Sequence, residues 1–261
     1  MKKIFLTGGS GFLGRNILEK LSKKYEIYAP SRKELNLIEP HKLKSWMKDK
    51  KFDWIINCVV NGGRRTKKDT SEDFYNNIMA LDNLLYYIND ETKLITFSSG
   101  AEIYKQNTFY GLSKKISTNI IRGKNNIKNL RIYNLFGPYG MQDSFIYSTI
   151  QKCLKNEDIF IWEDHRFDVY SIDNLLSIIN TIIKQNTNFY EEIDCVHNEK
   201  YKLSDLAKII KGFCGSKSKI IIEKVKDIDY IGNYQDQKDF KPIKLEKTLY
   251  DLIELIKDEK L

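Results

Sequence analysis

The chain of 261 residues is 41% hydrophobic and 12% aromatic, enough for one sizeable core or two unequal lobes, and this composition excludes an intrinsically disordered chain. No stretch approaches the roughly 20 apolar residues that cross a bilayer, and Met1-Lys2-Lys3 runs straight into a short strand without an export leader, so a cytoplasmic protein with no membrane contact is expected. The net charge of +8 sets 43 Lys and Arg against 35 Asp and Glu; the charges are dispersed, which favours an anionic small ligand over a nucleic acid partner.

The first predicted strand, Lys3-Ile4-Phe5-Leu6, runs into Thr7-Gly8-Gly9-Ser10-Gly11-Phe12-Leu13-Gly14, where a helical pattern of Phe12, Leu13, Ile17, Leu18 and Leu21 begins. The glycines satisfy both Gly-x-Gly-x-x-Gly and Gly-x-x-Gly-x-x-Gly. Such a turn lets a pyrophosphate approach backbone N–H groups at the positive end of a helix; the alternative is a tight strand-to-helix turn with no ligand. Its place after an N-terminal strand favours a dinucleotide, held by Gly8, Gly11, Phe12, Leu13 and Gly14. The second strand, Tyr25 to Ala29, ends in Pro30-Ser31-Arg32-Lys33, where a dinucleotide fold meets the adenosine ribose. A carboxylate there would bind a 2′-hydroxyl and repel a 2′-phosphate. The first acid is Glu34, beyond Ser31 and Arg32, which favours NADP(H), with NAD(H) as the alternative and a solvated basic turn as the ligand-free reading.

Pro40 opens a helix through about Lys50, and Asp53 to Val60 is an almost wholly apolar third strand, as in a parallel sheet covered on both faces. The loop Asn61-Gly62-Gly63-Arg64-Arg65-Thr66-Lys67-Lys68 meets either a phosphate or solvent. Phe74, Ile78, Leu81, Leu84, Leu85 and Ile88 recur at helical spacing, predicting a helix over 70–89. A fourth strand, Lys93 to Phe97, runs into Ser98-Ser99-Gly100-Ala101-Glu102; a helix over 110–122 and a strand over 130–133 follow. This alternation predicts a parallel, doubly wound sheet with right-handed crossovers. Past Gly137-Pro138 the pattern loosens, with helices over about 144–155, 174–184, 203–213 and 245–256 and short strands over 159–162, 167–170, 193–196 and 220–222. The polar loop over 227–241 is expected to be mobile. The architecture expected is α/β: a Rossmann-type doubly wound parallel sheet formed by residues 1–134 and about 172–198, with a small interleaved α/β substrate lobe from about 135–171 and 199–261. Cys58, Cys153, Cys195 and Cys214 are scattered with no Cys-x-x-Cys pair, so free thiols and no metal site are expected.

Tyr110-Gly111-Leu112-Ser113-Lys114 opens a predicted helix, where residues four apart share a face, so the phenol and the ammonium can address one ligand. A nearby cation favours the phenolate, bringing a tyrosine towards useful acid and base work. The pair alone recurs by chance in a chain rich in Tyr and Lys; its order after the glycine turn and the strand-end serines gives it weight. With these residues, and with Arg131-Ile132-Tyr133-Asn134-Leu135-Phe136-Gly137-Pro138 and the stretch from Arg166 to Asp173, the chain resembles the extended short-chain dehydrogenase/reductases, the NAD-dependent epimerase/dehydratase family. The segment Ser31 to Leu37, with Asn61-Gly62-Gly63, is similar to the branch of nucleotide-sugar 4-ketoreductases that includes the GDP-fucose synthase type.

The resemblance implies that Tyr110 exchanges the proton at the reacting oxygen and that Lys114 binds the nicotinamide ribose and lowers the tyrosine pKa. The family's usual serine or threonine position is Gly100, so Ser99 is expected to take its place, both catalytically and in binding substrate. Glu102, Asn134 and Arg166 are expected to complete the substrate site, Arg166 at the nucleotide diphosphate. Dehydratases of the family carry an Asp-Glu pair where this chain has Ala101-Glu102, and the epimerising reductases carry a cysteine and a histidine where it has Glu102 and Phe145. The expected activity is therefore NADPH-dependent reduction of the C4 keto group of a nucleotide-linked 4-keto-(6-deoxy) sugar, for surface polysaccharide sugar biosynthesis. The alternatives are an NAD-dependent nucleotide-sugar 4-epimerase and a non-catalytic NAD(P)-sensing or RNA-binding member of the superfamily. The family's two-helix interfaces imply a homodimer.

Overall fold

The structure is a computed structural model and describes residues 1–64, 66–185, 190–235 and 240–258. The chain divides into two compact units, residues 1–131 with 179–193 and residues 132–178 with 194–261.

The first unit alternates β1 (Lys3–Thr7), α1 (Phe12–Leu21), β2 (Glu26–Tyr28), α2 (Pro40–Met47), β3 (Trp54–Asn57), α3 (Ser71–Leu85) and β4 (Lys93–Ser99). The short α4 (Ala101–Tyr104), α5 (Phe109–Ile121) and β5 (Ile127–Ile132) follow. One six-stranded sheet runs β2-β1-β3-β4-β5-β9, where β9 is Glu192–Cys195. β1 pairs in parallel with both β2 and β3, and β3 with β4. Parallel neighbours need crossovers, and α1 to α3 supply them. The strand order reverses at β1, so the carboxyl ends of β1 and β3 mark the crevice where ligands of such sheets bind. The residues Trp54 to Asn57 are all buried, as the unbroken apolar run requires. Leu43 and Met47 of α2 and Ala80, Leu81 and Leu84 of α3 pack with Phe5, Ile55 and Leu94 of the sheet in one core cluster. Thr70 caps α3 by accepting from the Asp73 N–H while Asp73 reaches back to the Thr70 N–H, satisfying two donors that a helix start otherwise leaves bare.

The second unit carries β6 (Leu135–Phe136), α6 (Phe145–Lys155), β7 (Ile159–Asp164), β8 (Tyr170–Ser171), the start of α7 (Ile172–Gln185), α8 (Leu203–Cys214), β10 (Ile220–Val225) and α9 (Leu245–Lys257). β7 pairs in parallel with β10, and β6 with β8. Ile146 and Ile150 of α6, Leu206 and Ile210 of α8 and Leu249 and Ile253 of α9 gather over Ile159 and Ile161 in a core of their own.

Several elements depart from expectation for local reasons. The helix predicted over 70–89 ends at Leu85, where Tyr87 and Ile88 tighten into three-residue turns on Leu84 and Leu85. β4 continues through Ser98 and Ser99, which are buried although polar. α4 has only four residues, too few for a helical period to register in sequence. The strand predicted over 167–170 forms only at its end, because Phe167 and Asp168 spend their N–H groups on the Tyr201 and Tyr230 carbonyls. The loop predicted to be mobile is anchored in its first part: Gly232 N–H donates to Asp168 Oδ2 and Asn233 N–H to Asp194 Oδ2, each at 2.7 Å. Residues 236–239 of that loop, and Arg65 of the basic loop, lie outside the described residues.

Candidate active site

The turn after β1 is built around two glycines that tolerate no side chain. Gly8 has φ of +70°, and a Cβ there would lie 2.8 Å from the Cys58 carbonyl carbon at the end of β3. At Gly14 a Cβ would lie 2.2 Å from the Gly8 oxygen. The turn is closed by Gly11 N–H donating to Gly8 O at 3.0 Å. Gly11 is the N-cap of α1 and offers no side-chain acceptor, and the first turn, beginning with Phe12 and Leu13, contains no acidic residue. The N–H groups at this helix start are thus left to an external anion, and the bare glycine surface gives it close access. These residues fit the pyrophosphate of a dinucleotide.

After β2, Ser31, Arg32 and Lys33 are exposed. One feature of this turn carries no signal in the sequence. Ser31 N–H donates to Glu34 Oε2 at 2.7 Å, and these bonds from Ser31 hold the Glu34 carboxyl below its usual range. A carboxylate therefore folds back to the turn that a 2′-phosphate would use, with Arg32 and Lys33 beside it.

Tyr110 and Lys114 stand one turn apart on α5, as their spacing requires, with the Lys114 Nζ 5.8 Å from the centre of the Tyr110 ring. Gly111 seats this part of α5 against α4: a Cβ on it would lie 2.1 Å from the Lys105 oxygen. Lys114 donates to the Phe97 carbonyl of β4 at 2.7 Å. Burial brings its pKa down to about 8, against the opposing pull of Glu102 and Cys58. Ser99, at the end of β4, acts on the Tyr110 phenol and lowers its pKa. The structure thus brings Ser99, Tyr110 and Lys114 together. It reverses the expected direction of the tyrosine pKa: burial raises it, Asp69 and Glu102 add to the rise, and only Ser99 lowers it. The Tyr110 phenol is held in its protonated form.

Glu102 is 6% exposed and its carboxylate is engaged inside the unit. Arg131 Nε donates to one oxygen. Ser98 and Thr118 hydroxyls donate to the other, Thr118 at 2.5 Å. Asn129 Nδ2 donates to Thr118 Oγ1 at 3.1 Å, and Arg131 also reaches Glu192 at 2.8 Å. Cys58 sits behind the glycine turn, and burial pushes its thiol far up.

Asn134 and Arg166 belong to the second unit. The Asn134 carbonyl accepts from Tyr170 N–H at 2.8 Å, while its side-chain Oδ1 is buried without a protein partner among the described residues. Arg166 is exposed; its N–H donates to Asp229 Oδ1 at 2.9 Å and its guanidinium lies 3.8 Å from Asp229 Oδ2. Phe145 opens α6, and His165 places Nδ1 2.9 Å from the Glu163 carbonyl.

Two residues near Tyr110 gave no sequence signal. Asn77 on α3 accepts from Asn61 N–H at 2.8 Å, and its Nδ2 donates to the Asn61 carbonyl and to Ser113 Oγ. Asp69 accepts from Gly63 N–H at 2.8 Å. Among the described residues no group of three or more His, Cys, Asp or Glu side chains could hold a metal ion, and no helix is long and apolar enough to cross a membrane.

A glycine turn fit for a pyrophosphate and a Ser-Tyr-Lys group, both at carboxyl ends of one parallel sheet, are the parts of a nicotinamide-dependent enzyme. The profile of the NAD dependent epimerase/dehydratase family matches residues 4–193. The chain belongs to that family. It is thereby an enzyme of the short-chain dehydrogenase/reductase type. The GDP-L-colitose synthase of Yersinia pseudotuberculosis is 25% identical over 266 residues, spanning 87% of this chain and 86% of that protein. A GDP-mannoheptose C4 reductase from Campylobacter jejuni, solved with NADP bound, superposes with a TM-score of 0.80 at 17% identity over 98% of both chains. A GDP-L-fucose synthetase from Naegleria fowleri, bound to NADP, superposes with a TM-score of 0.80 at 15% identity over 99% of this chain and 94% of that one. At these identities the superpositions establish the fold.

Proposed function

We propose that the enzyme reduces the C4 keto group of a nucleotide-linked 4-keto sugar with NADPH. The observation that carries this reading is Lys114 Nζ 5.8 Å from the centre of the Tyr110 ring, with Ser99 acting on the same phenol and burial holding it protonated. A reductase needs its tyrosine as a proton donor, and burial keeps the proton in place. NADPH, when bound, supplies the hydride. The chain's own residues handle the oxygen: Ser99 orients it, and Tyr110 transfers its hydroxyl proton to it as negative charge develops there. Hydride and proton together complete the two-electron reduction of ketone to secondary alcohol. Lys114 then favours the phenolate that remains and anchors the nicotinamide ribose; the gain in rate comes from positioning and charge stabilisation. Gly8, Gly11, Phe12, Leu13 and Gly14 hold the pyrophosphate, and Ser31 and Arg32 the 2′-phosphate. Asn134 and Arg166 bind the nucleotide sugar, Arg166 exchanging Asp229 for the diphosphate. The GDP-sugar enzymes among the similar proteins support a GDP-linked substrate, and the reading carries with it a role in surface polysaccharide sugar biosynthesis.

Tyr110→Phe tests the reading. The variant folds and binds NADPH yet loses at least about a thousandfold in kcat against 4-keto nucleotide sugars; wild-type turnover would refute it. A second reading, an NAD-dependent 4-epimerase, is favoured by Glu34, whose carboxylate stands at the ribose turn. Calorimetry with NADPH and NADH separates them: tight retention of NAD without preference for the phosphate supports the epimerase. The reading includes a homodimer, which light scattering checks.

A further inference from the structure

The loop after β3 comes back onto α5 and stops against the catalytic tyrosine. Gly62 and Gly63 have φ of +80° and +71°, in the left-handed region. A Cβ on Gly63 would lie 2.8 Å from Tyr110 Cζ, so the glycine backbone lies directly on the phenol ring. Two side chains hold it there. Asn77 brackets Asn61 by accepting from its N–H at 2.8 Å and donating to its carbonyl at 2.9 Å. Asp69 accepts from Gly63 N–H at 2.8 Å through Oδ1 and from Tyr110 N–H at 3.4 Å through Oδ2. One carboxylate thus ties the loop to the first turn of the helix that carries the tyrosine.

We propose that Asp69 is a positioning residue for Tyr110, clamping the Gly62-Gly63 turn onto the phenol ring and so fixing where the hydroxyl proton is presented. The inference rests on Tyr110 as the proton donor. Among the described residues no hydrogen bond runs from the turn to the ring itself; the ring is confined by contact, and Asp69 makes that contact persist. The carboxylate acts on the tyrosine electrostatically as well. The charged groups that face the phenol are Asp69 from the loop, Glu102 from α4 and Lys114 from its own helix, its Nζ 5.8 Å from the ring centre, and Ser99 of β4 lowers the pKa. Asp69 and Glu102 favour the protonated form.

The test needs no sugar substrate. Asp69→Asn and Asp69→Ala are compared with wild type by NMR of protein carrying ¹³Cζ-tyrosine, the Tyr110 resonance being identified by its loss in Tyr110→Phe. The Tyr110 titration midpoint is expected to fall by about half a unit or more in both variants, because one like charge is gone. Amide exchange at Gly63 is expected to accelerate at least about tenfold in Asp69→Ala, with Asp69→Glu restoring part of the protection. An unchanged midpoint together with unchanged exchange overturns the proposal. A lowered midpoint with unchanged Gly63 exchange also overturns it, since Asp69 would then act as a charge and not as a clamp. Both readouts require a folded chain, verified by circular dichroism; Asp69→Ser, too short to reach the Gly63 N–H, takes the place of alanine with the same expected outcomes if alanine does not fold. If Tyr110→Phe retains turnover, the functional reading fails while the clamp measurements stand.

Discussion

Removing Arg131 separates two roles for Glu102 that the sequence leaves equivalent. As a substrate ligand, Glu102 would be dispensable for folding; in the structure its carboxylate is 6% exposed and the Arg131 side chain facing it is 13% exposed. Arg131→Met keeps much of the side-chain volume and deletes the charge. Breaking a buried pair from one side costs about 3–5 kcal/mol, because the remaining ion is neither hydrated nor neutralised. Ser98 and Thr118 still donate to Glu102, which places the loss near the lower end, about 3 kcal/mol, or a fall in Tm of roughly 6–12 °C for a chain of this size. Trp46 and Trp54 lie in the first unit and Trp162 in the second. In a Trp162→Phe background, fluorescence-detected urea unfolding therefore reports the unit that contains the pair. Adding Glu102→Leu to Arg131→Met removes the stranded charge and is expected to recover at least half of the loss. The reasoning is refuted if Arg131→Met stays within about 1 kcal/mol of its parent, or if Glu102→Gln raises KM while stability is unchanged.

Gly14→Ala is expected to lose nicotinamide cofactor binding altogether by calorimetry and to lower Tm, since its Cβ would sit 2.2 Å from the Gly8 oxygen. For Lys114→Met the two properties part: turnover is lost, while stability at pH 7 rises by about 1–2 kcal/mol, because a partly buried ammonium is no longer desolvated. The same pKa near 8 means that the folded chain sheds this proton before the unfolded chain does, so the lysine's contribution makes wild type gain stability from about pH 8 towards 10.5, a gain that Lys114→Met lacks in melts across that range. His197 is buried and its pKa is lowered by that burial. Its neutral form is the folded one, so the stability it protects is complete above pH 6.5 and is lost as the pH falls below that value. His197→Phe is expected to narrow the gap in Tm between pH 7.5 and pH 5, and an unchanged gap refutes it. Arg32→Ala should weaken NADPH at least about tenfold more than NADH; equal losses would favour the epimerase.

The sequence by itself determined the parts whose meaning is local. A glycine turn between an apolar run and a helical period can be recognised because the backbone conformation and close approach are properties of those few residues. Tyr110 and Lys114 face one way because a helix repeats every 3.6 residues, and the alternation of strands and helices implies a parallel sheet before any contact is known. The tertiary structure decided everything that depends on residues distant in the chain. Glu102 and Arg131 are 29 positions apart and meet only because α4 and β5 are brought together, so a residue that reads as polar and available is enclosed. The tyrosine pKa is raised by burial and by Asp69, 41 residues away, and not lowered by the lysine one turn on. Asp69 and Asn77 carry no pattern, since an acceptor for a backbone N–H can come from any polar residue that the fold delivers to it. Local periodicity fixes which way a side chain faces; only the packed chain fixes what it faces.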